Sequence, residues 1–381
     1  MSNINEKAKF QQVVAQIGEK IASVHADDVD AMARFPSETI SALRERAVLS
    51  AAVPEELGGG GCDIRTLTAL CETLGEYCAA SAMILAMHYI QVASIARHCG
   101  DDANWFDYLR SIVDEQRLIA SVTSEEGVGG EMRRSIAGLE FDGDAYRLQK
   151  KAMVISYGEQ ADDLLITARR NVSAAENDQV LVLAKKGEYA LTDCGSWDTL
   201  GMRGTCSPGA VVTVNAAVWQ ILPTGFGDIA AETMVPYSHI LWSGVWLGIA
   251  TDAVRRTRKL IQGAARKQRG EISLAAHDFT KIALQHQIMR DGLVAVVEEY
   301  RGLAENDSAQ LSSIQFALRI NNLKLESSQK VVDIVSTSMQ LAGVLAYKNG
   351  TPFSLGRHLR DAHSATIMIH NQRIADANAS M

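Results

Sequence analysis

The chain has 381 residues, a formal net charge of −8 and six cysteines, and 47% of its residues are hydrophobic. The negative charge excludes the basic surface that nucleic-acid binding needs and disfavours anionic membranes. No two cysteines form a CxxC pair, so we expect reduced thiols rather than disulfides or metal ligands. The polar start, MSNINEKAKF, contains no apolar signal segment. These features predict a cytoplasmic protein that binds neither nucleic acid nor membrane.

Residues 1–120 are predicted to form an N-terminal α-helical domain. Apolar residues recur at helical spacing until Phe35-Pro36 interrupts them, and a second helix is predicted with Ser37 as its N-cap. Residues 64–118 are rich in Ala, Leu and Ile and contain almost no helix breakers, which predicts two or three long helices.

Residues 121–225 are predicted to form a middle antiparallel β domain. Short β-forming runs alternate there with turns rich in Gly, Asp and Asn, and the runs are 146–150, 163–167, 179–183, 189–192 and 210–214.

Residues 226–381 are predicted to form a C-terminal four-helix bundle domain. Helical periodicity returns in long segments, at 226–269, 275–304, 308–347 and 353–376, with Gly270 at one of the breaks. The predicted fold class is therefore α+β, mostly α, in the order α–β–α.

A glycine-rich stretch, SVTSEEGVGGEMRRS at residues 121–135, follows a strand-like run. Its glycines let the backbone approach a ligand, and hydroxyls beside free amides bind a flat heteroaromatic ring or a pyrophosphate. Two further stretches follow it, MVISYGEQA at 153–161 and WDTLGMRGT at 197–205. In this order and at these separations, the three stretches resemble the acyl-CoA dehydrogenase superfamily of FAD flavoproteins.

The resemblance implies a role for individual residues around the flavin. The first stretch resembles the family's Thr-Glu-Pro-Gly-Ala-Gly-Ser-Asp, which implies flavin contacts for Thr123 and Ser124 and close approach at Gly129 and Gly130. Gly130 stands where the family has serine. The second stretch resembles Met-Trp-Ile-Thr-Asn-Gly, which implies that the Ser156 hydroxyl lies near flavin N5, where reduction adds hydrogen and electron density.

For the distal half of FAD, the family uses an arginine after a long helix and a glutamine-glycine element on a neighbouring subunit. Arg266 matches the arginine, whose planar fork suits a pyrophosphate. Gln340 and Gly343, in QLAGVLAY, match the second element, of which only the first glycine is kept. A shared cofactor site implies a homodimer or homotetramer.

The catalytic glutamate of most family members is absent from this chain. The family's Arg-Asp-Ala is present as Arg360-Asp361-Ala362, and we expect Arg360 and Asp361 to form a buried ion pair that fixes the last helix. Ile369, however, occupies the glutamate's place. The alternative location in some members falls at Ser238-His239 and offers no carboxylate.

Two histidines are candidates for the missing base. Flavin monooxygenases of this fold also lack the glutamate and resemble this chain in carrying a histidine-rich C-terminal segment, which points to His370 as catalytic. The alternative is that His370 is an ordinary helix-surface histidine. His88 is either a core histidine or a substrate-facing imidazole, since its helix borders the active site in the family.

Three functions therefore stay open. The shared motifs favour an FAD-dependent dehydrogenase that oxidises an acyl-CoA or acyl-carrier-protein thioester, with hydride transfer to flavin N5 and electron-transfer flavoprotein as acceptor. The missing glutamate indicates a monooxygenase that uses O2 and reduced flavin from a flavin reductase. A non-catalytic flavin-binding subunit is indicated by Val154, which replaces the ring-packing tryptophan, and by the lost glycines after Gly343.

Overall fold

The computed structural model describes residues 2–267 and 274–381, with side chains described for 8–263 and 276–381. The first block is helical and comprises α1 (Ser2–Ile17), α2 (Ser23–Ala31), α3 (Ser37–Glu45), α4 (Ile64–Gly75), α5 (Ala79–His98) and α6 (Ala103–Glu115). The predicted break at Phe35-Pro36 is confirmed. The prediction of Ser37 as an N-cap is wrong, because Pro36 holds that position and Ser37 is already helical.

Seven strands follow in the described chain: β1 (Ile119–Val122), β2 (Glu140–Asp142), β3 (Ala145–Ala152), β4 (Asp163–Arg169), β5 (Gln179–Lys185), β6 (Tyr189–Thr192) and β7 (Ala210–Ala217). They form two sheets, β1-β4-β5 and β2-β3-β7-β6. All five predicted β runs lie within these strands. The antiparallel prediction is wrong for one pair, because β1 runs parallel to β4 with Ile119 opposite Asp163.

The C-terminal block is again helical, with α7 (Phe226–Ile229), α8 (Val235–Lys267), α9 (Leu274–Asn306), α10 (Ile314–Ala342), α11 (Val344–Tyr347), α12 (Gly356–Ile367) and α13 (Asn371–Ser380). Helix α8 is central and packs against α4, α9 and α10. The last predicted segment is two helices rather than one, because the chain turns at residues 368–370. The predicted break at Gly270 lies outside the described residues.

Helix α5 is the core helix that brings the blocks together. It is long and apolar enough to cross a membrane, but 89% of its most apolar window is buried inside the protein. A helix that is apolar on all sides is buried in this way. It packs against α4, α8 and β1. The α–β–α order and the mostly helical α+β class are confirmed, whereas the domain boundaries at 120 and 225 stay a prediction.

Candidate functional site

A cavity of about 420 Å³ lies where α5 and α8 meet the loops around β1 and the turn between α12 and α13. Its size falls within the range of small-molecule sites. The wall is mostly apolar and sulfur-rich, and its residues are Met83, Met87, Ile90, Gln91, Ser121, Thr123, Ser124, Met132, Val154, Ser156, Trp197, Met202, Thr205, Ser207, Met234, Val235, Ser238, His239, Trp242, Ser364, Ile367, Met368 and Ile369.

Three predicted flavin-contacting residues, Thr123, Ser124 and Ser156, come together in this wall. The Ser124 hydroxyl donates to the Val154 carbonyl at 2.9 Å and accepts from the Val154 amide at 3.0 Å. It therefore holds the loop after β1 against the loop after β3. No hydroxyl bond of Thr123 is found within the described chain, so this group remains available for a ligand.

The Ser156 hydroxyl belongs to a small hydroxyl network. Ser207 Oγ lies 2.9 Å from Ser156 Oγ and 2.8 Å from the hydroxyl of Thr205. Thr205 in turn donates to the Met202 carbonyl at 2.8 Å. Because Ser207 and Thr205 are buried, this network fixes the orientation of the half-buried Ser156 hydroxyl in the wall.

A buried carboxylate closes the base of the glycine-rich loop. Glu125 accepts from the Ser135 hydroxyl at 2.7 Å and from the backbone amides of Ile136 and Ala137 at 3.1 and 2.7 Å. Lys150 lies 3.6 Å away, and burial lowers the pKa of this lysine to about 8. Sequence reasoning missed Glu125, because only the folded loop shows which of its acidic residues is buried.

The glycine-rich loop meets the last helix outside the cavity. Gly129 and Gly130 have φ values of 64° and 78°, in the left-handed region that favours glycine. A Cβ atom on Gly130 would overlap the guanidinium of Arg373. Neither glycine lines the cavity, so their predicted contact with the cofactor stays a prediction.

The interpretation of His88 as a substrate-facing imidazole is wrong. The side chain is fully buried and does not line the cavity. Its Nε2 donates to the Leu49 carbonyl at 2.8 Å, and its Nδ1 accepts from the Ile119 amide at 3.1 Å. Burial lowers its pKa to about 4. The two ring nitrogens thus join α5 to the short helical turn at Leu49 and to the start of β1.

His370 also lies outside the cavity wall. Its Nδ1 accepts from the Gln372 amide at 3.3 Å, so the side chain is the N-cap of α13, and it is exposed. This geometry corresponds to the surface-histidine alternative rather than to a base. The neighbouring Ile369, which occupies the glutamate's place in the sequence, does line the cavity.

The expected ion pair between Arg360 and Asp361 does not form. Arg360 instead pairs with Asp30 in α2. Asp361 Oδ1 accepts from the Met202 amide at 2.7 Å, and burial raises the pKa of this carboxyl to about 6. Successive residues of α12 point in different directions, so Arg360 binds the helix to α2 and Asp361 binds it to the segment at Met202.

His239 is another residue that the sequence reasoning missed, because a carboxylate was expected there. Its Nδ1 lies 3.3 Å from the Ile320 carbonyl, and its ring lies 6.0 Å from that of Trp242. Burial, together with the nearby positive charge of Lys324, lowers its pKa to about 3. Lys324 itself is buried and binds the turn at residues 368–371. His239 is therefore a neutral imidazole in the cavity wall.

No aspartate or glutamate is present among the described residues of the wall. The wall combines hydroxyls, including the unpaired one of Thr123, with sulfur and indole surfaces. This set fits a flat heteroaromatic ring that has one polar edge. The Arg266 side chain lies outside the described ones, and Gln340 and Gly343 are exposed away from the cavity. The roles of these three residues in a shared site stay a prediction.

Residues 5–116 match the family model described as acyl-CoA dehydrogenase, N-terminal domain. Among curated proteins, the short-chain specific acyl-CoA dehydrogenase of Clostridium acetobutylicum is 22% identical over 361 residues, which are 94% of this chain and 92% of that protein.

Two solved structures show the same fold along nearly the whole chain. FMN-bound TdsC, a dibenzothiophene monooxygenase from Paenibacillus sp. A11-2, aligns with a TM-score of 0.83 at 18% identity, covering 97% of this chain and 96% of that chain. Butyryl-CoA dehydrogenase from Megasphaera elsdenii aligns with a TM-score of 0.79 at 19% identity, covering 98% and 97%. Enzymes of two chemistries therefore share this architecture.

Proposed function

Because this chain has the fold of the acyl-CoA dehydrogenase superfamily and carries its N-terminal domain, we propose that it is a flavin-dependent monooxygenase acting on a small apolar substrate. The observation that supports this choice over dehydrogenation is the cavity wall, which contains no carboxylate among its described residues. Acyl-thioester dehydrogenation needs a base for the acidified α-proton. Oxygen transfer to a substrate does not need that proton to be removed.

When bound, reduced flavin supplies two electrons to O2, so that one oxygen atom enters the substrate and the other leaves as water. The electrons come from a separate flavin reductase. We propose FAD as the cofactor, on the resemblance at Arg266 and Gln340; mass spectrometry of the flavin released from the purified protein distinguishes FAD from FMN.

The residues of this chain position and enclose the reactants. The hydroxyls of Thr123 and Ser156 would hold the polar edge of a bound flavin ring, and the Ser124 bridge keeps their two loops together. Met83, Met87 and the other methionines of the wall exclude water from the reacting atoms. Exclusion of water matters for oxygen transfer, because it suppresses release of hydrogen peroxide.

A second candidate function is dehydrogenation of an acyl thioester, with electron-transfer flavoprotein as partner. One observation favours it: His239 offers an unprotonated nitrogen in the cavity wall that would accept the α-proton, and a bound flavin would supply the hydride acceptor. The imidazole is a weak base, however, because burial lowers its pKa to about 3. This candidate therefore ranks below oxygenation.

The test begins with anaerobic titration of the purified flavoprotein with a panel of acyl-CoA thioesters. We expect no bleaching of the oxidised flavin absorbance. Reduced protein is then mixed with isotopically labelled O2 and a panel of small aromatic compounds, and one labelled oxygen atom is expected in a product. Bleaching by one thioester would overturn the proposal in favour of dehydrogenation. A protein that purifies without flavin, and does not bind added flavin, would indicate a chain without this catalytic role.

A further inference from the structure

In the helical part of the cavity wall, two residues carry buried polar atoms that have no hydrogen-bond partner in the described chain. They are Gln91 Oε1 and Trp242 Nε1. An unpaired buried polar atom costs folding free energy, so native proteins keep few of them. Their presence together in one cavity wall indicates a place where a ligand supplies the missing partners.

Neighbouring groups fix the hydrogen-bonding character of these atoms. The amide nitrogen of Gln91 lies 3.2 Å from the Met87 carbonyl, which only accepts, so the unpaired amide atom is the acceptor oxygen. An indole N–H is a donor only, so Trp242 contributes an unpaired donor.

His239 contributes a second acceptor to the same wall. Its Nδ1 faces the Ile320 carbonyl at 3.3 Å, so Nδ1 carries the proton of the neutral ring. The Nε2 atom is then an acceptor, and no donor to it is found within the described chain. The helical wall thus offers two acceptors and one donor.

We propose that Gln91, His239 and Trp242 form a subsite for the hydroxyl or amino group of a neutral aromatic substrate. The inference rests on the proposed function and names the substrate class for the same cavity. A phenolic hydroxyl donates to one acceptor and accepts from the indole, and an aromatic amine donates to both acceptors. The substrate ring packs against the sulfur and indole surfaces of the wall, which favour aromatic contacts.

The same set of atoms disfavours the other substrate classes. A thioester carbonyl only accepts, so it would leave Gln91 Oε1 and His239 Nε2 unpaired. An ionised carboxylate or phosphate only accepts hydrogen bonds, so Gln91 Oε1 and His239 Nε2 would repel it instead of binding it. An ammonium group would find no carboxylate in the described wall, and Lys324 on α10, the charged group that faces His239, would repel it.

The test is calorimetric binding to the purified flavoprotein with shape-matched probes. The pairs are para-ethylphenol with para-ethylanisole and naphthol with methoxynaphthalene, and para-ethylaniline represents the amines. In each pair the methyl ether keeps the acceptor and loses the donor. We expect the hydroxyl compound to bind about tenfold more tightly than its ether.

The variants Gln91→Met, Trp242→Phe and His239→Phe should each reduce this preference to less than about threefold. Gln12→Met makes the same chemical change on the exposed surface of α1 and should leave the preference intact. Melting temperature and flavin content are measured first, and a variant that does not fold is set aside, since each of the three tests the subsite separately.

Equal affinity within each probe pair would overturn the subsite, and so would an unchanged preference in the folded variants. Failure of every hydroxyl and amino probe to bind would also overturn it. Failure of the proposed function is a separate result: a donor preference that depends on Gln91 and Trp242, without incorporation of labelled oxygen, keeps the subsite and overturns the monooxygenase. Incorporation of labelled oxygen without a preference for hydroxyl probes would keep the monooxygenase and overturn the subsite.

Discussion

The Nζ atom of Lys324 lies 2.8 Å from the carbonyl oxygen of Ile369, in the turn that closes one side of the cavity. The same ammonium donates to Asn371 Oδ1 at 2.5 Å, and Ser328 also binds Asn371. Burial lowers the lysine's pKa to about 8. Ile369 has a φ of 46°, which a β-branched residue rarely adopts, so this turn needs external bonds to keep its shape.

Lys324→Met should therefore loosen the turn at residues 368–371. Leaving the Ile369 carbonyl without its donor, and Asn371 with Ser328 alone, costs about 1–3 kcal/mol, partly offset by removal of a buried charge. We expect amide hydrogen exchange at residues 368–374 to accelerate at least about fivefold. Lys330→Met, which removes a lysine of the same helix that binds Gln285, is the control and should leave this exchange unchanged.

His88→Leu should destabilise the protein without removing its chemistry. The substitution leaves the Leu49 carbonyl and the Ile119 amide unpaired in the core, at a cost of about 2–4 kcal/mol. Denaturant unfolding measures the loss, and turnover per folded molecule should stay within about twofold. Lost turnover at unchanged stability would place His88 in the site after all.

His370→Ala should remove only a helix cap. We expect a local loss of about 0.5–1 kcal/mol at the start of α13 and turnover close to that of the unmodified protein. A steady-state assay with the identified substrate provides the check. Turnover reduced a hundredfold or more (roughly 3 kcal/mol in activation free energy) would restore His370 as the base expected from the sequence.

Thr123→Val and Ser124→Ala should separate cofactor binding from loop structure. The Thr123 hydroxyl has no partner among the described residues, so its removal should weaken flavin binding about tenfold at an unchanged melting temperature. The Ser124 hydroxyl bonds both the amide and the carbonyl of Val154, so its loss should lower the melting temperature as well. Flavin titration and thermal unfolding of both variants test this; identical behaviour of the two would contradict it.

Stability should fall as pH decreases from about 6.5 to about 5. Burial lowers the pKa values of His88, His239 and His358 to about 4, 3 and 4. In this window the unfolded chain binds protons that the folded state does not, so each histidine contributes a slope of up to about 1.4 kcal/mol per pH unit. Asp361 opposes them, because its pKa is raised to about 6 and the folded state takes up its proton first.

Urea unfolding at about pH 7, 6 and 5, a range in which an ordinary histidine side chain changes its charge, measures this dependence. The midpoint should move to lower urea as pH decreases. A midpoint that is constant or rises would contradict the prediction that the buried histidines dominate this pH dependence over Asp361.

Local pattern was sufficient to predict most helices and strands, because burial imposes a period of about 3.6 or 2 on the sequence. The pairing of β1 with β4 could not be predicted in this way, because the two strands are distant in the chain. The division of the last segment into α12 and α13 also escaped prediction. It depends on Lys324, whose bond to the Ile369 carbonyl forms only in the folded protein.

The candidate site was predicted from motif resemblance at Thr123, Ser124 and Ser156, which the fold brings to one cavity. His239, Gln91 and Trp242 were missed for a physical reason. A histidine, a glutamine and a tryptophan in apolar helices are ordinary core residues until the structure places them in a cavity wall and shows that Gln91 Oε1 and Trp242 Nε1 lack partners within the described chain.

The contact between Gly130 and Arg373 links the glycine that replaces the superfamily's serine to a side chain of the last helix. A serine at position 130, as in the family motif, would have to displace the guanidinium and adopt a left-handed backbone. In protein engineering, the glycine-rich loop and the last helix should therefore be exchanged together. A chimera that takes the loop from a dehydrogenase must also take the residue at position 373, or the two segments will be mismatched where they meet.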